Sequence, residues 1–167
     1  AIHRAYLAAG ADCIETNTFG ANLAALGEYG ISEQVAELSQ AGARIARRVA
    51  DEFSTQDRPR FVLGSVGPGT KLPTLGHIEA TTIRDGYQTQ VEAMIRGGID
   101  AVQIETSQDL QQAKAAVIGA KRACAAQGVD LPIFVSITVE TTGSMLLGSE
   151  TGAALATLAP LGIDVIG

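Results

Sequence analysis

Carboxylates and hydroxyls follow four short apolar runs of the chain. They lie in residues 15–20 (ETNTFG), 64–71 (GSVGPGTK), 105–107 (ETS) and 136–143 (SITVETTG). These segments carry three glutamates, many hydroxyls and a single lysine. A carboxylate walled by apolar groups suits an ammonium or a hydroxyl of a small ligand. The alternative is that Glu15 or Glu105 caps the next helix or pairs with a Lys or Arg, and the residues alone leave both interpretations open.

Two other kinds of site are not expected. The spacing of Gly64 and Gly69 is that of a phosphate-binding loop, but Thr70-Lys71 follows where Lys and Ser/Thr should, and Pro68 removes a backbone donor. The Cys and His residues have no metal-ligand spacing. Cys124 lies on the apolar face of a predicted helix and Cys13 within a predicted strand, so both are predicted to be buried structural thiols. His3, in the first helix, is predicted to be structural, and His77, in a Gly/Pro-rich loop, to be a surface residue. Glu140 is either catalytic or a rim residue near a mobile loop.

The composition restricts the class of protein. Of 167 residues, 46% are hydrophobic and 18% are charged, which excludes a disordered chain. The formal net charge of −6 argues against a nucleic-acid partner or an anionic membrane, both of which attract basic faces. No apolar run reaches the length of a membrane span, and we see no signal peptide. Two cysteines indicate a reducing compartment, so we expect a cytoplasmic protein.

The elements that must position these groups alternate between strands and helices. A Gly-x-Asp phrase recurs at residues 10–12, 98–100, 128–130 and 162–164, each time between an Ala-rich stretch and an apolar run. Glycine there is typical of a left-handed helix cap. Strands are predicted near 11–17, 60–66, 100–105, 132–138 and 163–167. Apolar residues at helical spacing predict helices between them, with Ser32 and Thr82 as N-caps.

Repeated strand–helix units indicate an α/β fold with parallel strands. A five-stranded flavodoxin-like sheet and part of an eight-stranded barrel both satisfy this pattern. A whole barrel needs about 250 residues. Residues 1–9 are typical of the end of a helix, and the chain stops on a strand, so a slice from the middle of a barrel is favoured. We expect a single partial domain over 1–167, truncated at both ends.

Four motifs, in this order, resemble a known family. They are residues 11–19 (ADCIETNTF), 64–68 (GSVGP), 98–106 (GIDAVQIET) and 131–138 (LPIFVSIT). Together they are similar to the homocysteine S-methyltransferase (homocysteine-binding) domain of cobalamin-dependent methionine synthases. The resemblance spans the whole chain and implies a parallel (β/α)8 TIM barrel, of which this chain covers about strands 2–6. Betaine- or S-methylmethionine-type enzymes, or a non-catalytic barrel fragment or binding module, are the alternatives.

The resemblance also implies site residues. Glu105 matches the glutamate that binds the amino group of homocysteine, and Thr16 and Phe19 match positions that line the substrate pocket. Ser65, Ser136 and Thr138 lie at strand ends that line the same pocket. Met145 departs from the Arg that many relatives carry in the following loop.

Metal and methyl donor are implied to lie elsewhere. Family members hold homocysteine as a thiolate on zinc, and their three zinc cysteines lie in segments after the sixth and eighth strands, which would come beyond Gly167. We therefore expect no catalytic or metal-binding residue in this chain and no activity from it alone. Cobalamin and methyltetrahydrofolate are expected to bind other domains of the same polypeptide, and the chain itself does not identify the methyl donor.

Overall fold

Helices and strands alternate along a computed structural model that describes all 167 residues. The strands are β1 (Cys13–Glu15), β2 (Phe61–Val66), β3 (Ala101–Ser107), β4 (Ile133–Ile137) and β5 (Val165–Ile166). The α-helices are α1 (Ile2–Ala8), α2 (Leu23–Glu28), α3 (Val35–Phe53), α4 (Ala80–Gly97), α5 (Leu110–Gln127) and α6 (Thr151–Leu158). Short 3-10 helices form at Ser32–Gln34, Pro73–Leu75 and Ala159–Leu161. No helix combines the length and the apolar character needed to cross a bilayer.

The five strands form one parallel sheet in the order β1-β2-β3-β4-β5. One face packs on the helices through a core of 24 buried residues that includes Ile14, Val62, Val102 and Val135. The opposite face carries Phe61 and Val165, which stay 43% and 49% exposed because no helix covers them. A flavodoxin-like sheet would have helices on both faces and a reversal of strand order, so the barrel-type prediction is confirmed. The helix-free side is called the uncovered face below.

The Gly-x-Asp phrase closes one element and fixes the next. Gly98 and Gly128 cap α4 and α5 in the left-handed conformation (φ 93° and 66°), as predicted. Asp100 Oδ2 then accepts hydrogen bonds from Val62 N of the preceding strand at 2.7 Å and from Arg47 at 2.8 Å. Asp164 Oδ2 likewise accepts from Ile133 N at 2.8 Å. Each of these carboxylates therefore ties the start of its own strand to the start of the strand before it.

Two N-cap predictions are wrong. Ser32 begins a 3-10 turn, so α3 starts only at Val35. Thr82 lies inside α4, which starts at Ala80 after Glu79. Neither α3 nor α4 has a side-chain N-cap hydrogen bond. In both cases a nearby hydroxyl in the sequence does not mark the start of the helix.

Candidate functional site

The register of the sheet gathers polar side chains at the carboxyl ends of β1 to β3. Glu15 pairs with Leu63, and Ser65 pairs with Gln103 on the next strand. Side chains alternate between the two faces of a strand, so Glu15, Ser65 and Glu105 all belong to the uncovered face. Ligands of parallel α/β folds bind at this end of the sheet.

Glu105 is held by a neighbouring hydroxyl. Ser65 is 2% exposed, and its Oγ donates a 2.5 Å hydrogen bond to Glu105 Oε1. None of the nine ion pairs of the chain includes Glu105 or Glu15. The helices that follow are capped by Asn22 and Asp109 instead. The structural alternatives for the two glutamates therefore do not apply, and neither charge is balanced by a cation of the chain.

The charge of Glu105 influences Glu15. The pKa of Glu15 is raised above its usual value, chiefly because partial burial of its carboxyl disfavours the charged form and further because the negative charge of Glu105 is close. A positively charged ligand group between them would reverse the second effect. The site thus favours an ammonium over an anion.

Glu105 precedes a strained residue. Thr106 is the only non-glycine residue with a positive φ, 58°, and β3 shifts register against β4 between Ile104 and Ser107. A β-branched residue rarely adopts this conformation, and such strain collects at functional sites. The Thr106 N–H points to Ser136 Oγ at 3.4 Å. The irregularity re-aims the chain immediately after Glu105, and it is one feature that the sequence analysis missed.

The remaining predicted residues take different places. Phe19 is 44% exposed beside Gly67, at the end of the next strand. Ser136 and Thr138 are half-buried, and Thr138 N continues the ladder to Ser107 O at 2.9 Å. Met145 is buried within the loop that precedes α6. These positions are compatible with a shared pocket rim, and the substrate contacts of these side chains stay predictions.

Thr16 is buried and bonded to a second threonine. Its side chain is 4% exposed, and its hydroxyl lies 2.6 Å from that of Thr18, which the sequence analysis did not single out. Thr16 belongs to the opposite face from Glu15 because side chains alternate along a strand. The structure therefore places this hydroxyl under the sheet edge, and a direct contact with substrate stays a prediction.

The thiols and imidazoles do not form a metal centre. Cys124 is buried as predicted, but Cys13 is exposed, because Ile14 and not Cys13 takes the helix-covered side. Partial burial of its sulfur, with the charges of Asp12 and Asp100, raises the pKa of Cys13, which keeps this thiol protonated. His3 Nε2 bonds the Glu15 carbonyl at 3.0 Å, and His77 is exposed. No three His, Cys, Asp or Glu side chains are grouped to hold a metal, so these residues do not fit zinc.

A comparison with protein families decides the relationship. The family model described as homocysteine S-methyltransferase matches residues 1–167. The chain belongs to the homocysteine S-methyltransferase family. The predicted resemblance is thereby confirmed.

Two curated relatives of this chain are methionine synthases. That of Mycobacterium leprae is 60% identical over 166 residues, and that of Mycobacterium tuberculosis is 59% identical over the same length. Each alignment covers 99% of this chain but only 14% of the relative. The chain thus spans about a seventh of the length of the curated relatives that it matches.

Solved structures share the fold. The homocysteine methyltransferase MmuM from Escherichia coli, in its metallated form, superposes with a TM-score of 0.80 at 22% identity. The match covers 99% of this chain and 60% of that one. A putative phosphonomutase from Burkholderia cenocepacia follows with a TM-score of 0.58 at 20% identity, covering 98% of this chain and 62% of that one. At these identities the likeness supports the fold alone.

Proposed function

We propose that the chain is the homocysteine-binding part of an S-methyltransferase that makes methionine from homocysteine. The observation that carries this proposal is the carboxylate of Glu105, which is oriented by Ser65 and left without a cation beside Glu15. Family membership and two methionine synthase relatives support the same substrate. Glu105 would accept charge-assisted hydrogen bonds from the ammonium of homocysteine, which fixes the amino acid while its thiol reacts elsewhere.

Within this proposal, residues 1–167 are one part of a larger barrel domain in a longer polypeptide. Zinc is held by residues outside this chain, and cobalamin and methyltetrahydrofolate bind other domains. The 14% coverage of the methionine synthases supports that division. Identity of about 60% to methionine synthases favours methyltetrahydrofolate with cobalamin as the methyl donor over betaine or S-methylmethionine.

The test uses the full-length polypeptide that carries this chain. Glu105→Gln keeps the size of the side chain and removes its charge, while Glu37→Gln is a matched change on the exposed surface of α3. Calorimetric titration with homocysteine should show affinity lowered about tenfold or more in Glu105→Gln, the loss of a hydrogen bond to a charged group. Zinc content should stay the same in both variants. Unchanged homocysteine affinity in Glu105→Gln would contradict the proposal and favour a binding module with another ligand.

A further inference from the structure

We propose that Thr16 and Thr18 are positioning residues that fix the main chain of Ser65 and, through its hydroxyl, aim Glu105. The inference rests on the proposed function for the role of Glu105. Neither threonine has to touch the substrate for this role. The proposal gives the two buried hydroxyls a role in the site.

The hydroxyls replace ladder bonds where β1 ends. In the regular pairing between β1 and β2, Phe61 N donates a hydrogen bond to Asp12 O at 3.0 Å, and Thr16 N donates one to Leu63 O at 2.9 Å. Beyond this point, Ser65 N donates to Thr16 Oγ1 at 3.0 Å, and Thr18 Oγ1 donates to Ser65 O at 2.7 Å. Both main-chain polar groups of Ser65 are therefore bound by side chains, although β1 itself stops at Glu15.

The donors follow one direction around a closed ring. The Thr18 hydroxyl reaches Ser65 O at 2.7 Å and the Met94 sulfur, a weaker acceptor, at 3.3 Å. With its proton on Ser65 O, the 2.6 Å contact between the two threonines has Thr16 donating to Thr18. The ring then runs from Ser65 N–H through Thr16 and Thr18 back to the Ser65 carbonyl. Each hydroxyl gives one proton and accepts one, so the geometry of the ring is fixed on all sides. We call this arrangement the threonine ring.

Helix α4 holds the threonine ring from behind. Gln90 Nε2 donates to Thr18 O at 3.0 Å, and the sulfur of Met94 lies 3.3 Å from Thr18 Oγ1. Thr18 is 1% exposed, and both α4 side chains are fully buried. Water therefore does not compete for these bonds, and α4 fixes the threonine ring relative to the sheet.

The opposite side of Ser65 faces the candidate site. Its main chain is bound by the threonine ring, while its Oγ reaches Glu105 Oε1 on β3. Ser65 is the only side chain that hydrogen-bonds Glu105. A shift of the Ser65 main chain would consequently move the one group that orients this carboxylate.

The experiment compares variants of the full-length polypeptide by calorimetric titration with homocysteine. Thr18→Val removes the hydroxyl at constant shape, and Thr18→Ser keeps it. We expect Thr18→Val to weaken homocysteine binding about fivefold, as for one neutral hydrogen bond, and Thr18→Ser to bind more tightly than Thr18→Val. Thr82→Val, on the exposed surface of α4, is the matched control and should bind as the unmodified protein does.

A double-mutant cycle with Ser65→Ala separates positioning from general damage. If the threonine ring acts through Ser65, Thr18→Val should cost little further affinity once the serine hydroxyl is gone. An equal loss in both backgrounds, or no loss in either, would overturn the proposal. Should Thr18→Val fail to fold, Ser65→Ala alone decides, since unaltered affinity there removes the link to Glu105. If Glu105→Gln itself leaves affinity unchanged, the proposed function fails rather than the positioning role alone.

Discussion

Gly67 lies directly against Phe19. A Cβ added to Gly67 would stand 2.5 Å from the carbonyl oxygen of Phe19 and 2.9 Å from two of its ring carbons. The end of β2 therefore accommodates the loop after β1 only because residue 67 has no side chain. The contact sets the position of the aromatic ring at the rim of the candidate site.

Gly67→Ala should displace Phe19 and loosen the loop after β1. We expect a loss of about 1–3 kcal/mol in stability, the usual cost of overpacking. Hydrogen exchange of the peptide spanning residues 13–22 should become faster. Gly20→Ala is the matched control in the same loop, since a Cβ there meets nothing within 4 Å. Equal exchange in both variants would show that the contact does not fix the loop.

Thr106→Gly should relieve the strain that follows Glu105. A non-glycine residue at this φ costs about 1–3 kcal/mol, part of which the flexibility of glycine in the unfolded chain offsets. We expect a net gain in stability of about 1 kcal/mol, seen as slower exchange of β3 amides. Homocysteine binding should weaken at the same time if the strain helps to aim Glu105. The stability of Thr106→Asn should lie between those of Thr106→Gly and the unmodified protein, because Asn tolerates this conformation better than Thr.

Glu15 should make folding pH-dependent. Its pKa is raised in the folded protein, so the folded state binds a proton more tightly than the unfolded one. The stabilisation is full below the usual carboxyl pKa and is lost as the pH rises through the raised value. Glu15→Gln should therefore increase stability at neutral pH, by less than about 1 kcal/mol because the group is exposed, with a smaller difference in acid.

The cause of the shift has its own measurement. An NMR titration of the Glu15 carboxyl should show a lower pKa in Glu105→Gln, since the second negative charge is gone. Glu37→Gln should leave that pKa in place. If Glu105→Gln does not move the pKa of Glu15, the two carboxylates are not coupled.

Residues 1–167 made alone should neither hold stoichiometric zinc nor form methionine. A free alkyl thiol with a pKa of about 8.5 is mostly protonated at neutral pH and needs a metal or a base to react. The structure offers no group of ligands for that metal. Atomic absorption of the purified chain and an assay with methyltetrahydrofolate check both statements. One tightly held zinc per chain would place the metal site among these residues after all.

The sequence predicts the architecture well because its signals are local. Glycine caps, apolar runs and Gly-x-Asp phrases each depend on a few adjacent residues, and the strand order follows from repeated parallel crossovers. Glu105 is also predicted, but only through the family resemblance. The alternation of residues within β1 and β3 supports its orientation weakly.

The threonine ring and the strain at Thr106 depend on relationships between strands. No local pattern shows that Thr16 turns toward Ser65, or that β3 shifts register before Ser107. The interpretation of Cys13 as buried fails for a similar reason, because alternation fixes which residues share a face but not which face the helices cover. A Thr-x-Thr at a strand end is a signal for such a ring only when the register of the partner strand is known.

The aspartates that begin β3 and β5 have a consequence for synthesis of the chain. Val62 N donates to the carboxylate of Asp100, and Ile133 N donates to that of Asp164. In each pair the acceptor lies more than thirty residues further along the chain than the donor. Because each strand also pairs with the next one along the chain, a growing polypeptide adds strands at one edge only. Strands β3 and β5 thus bring carboxylates that bind an amide near the start of β2 and of β4, respectively. Until Asp100 is synthesised, Val62 N near the start of β2 lacks this acceptor, whereas Phe61 N can already bind Asp12 O.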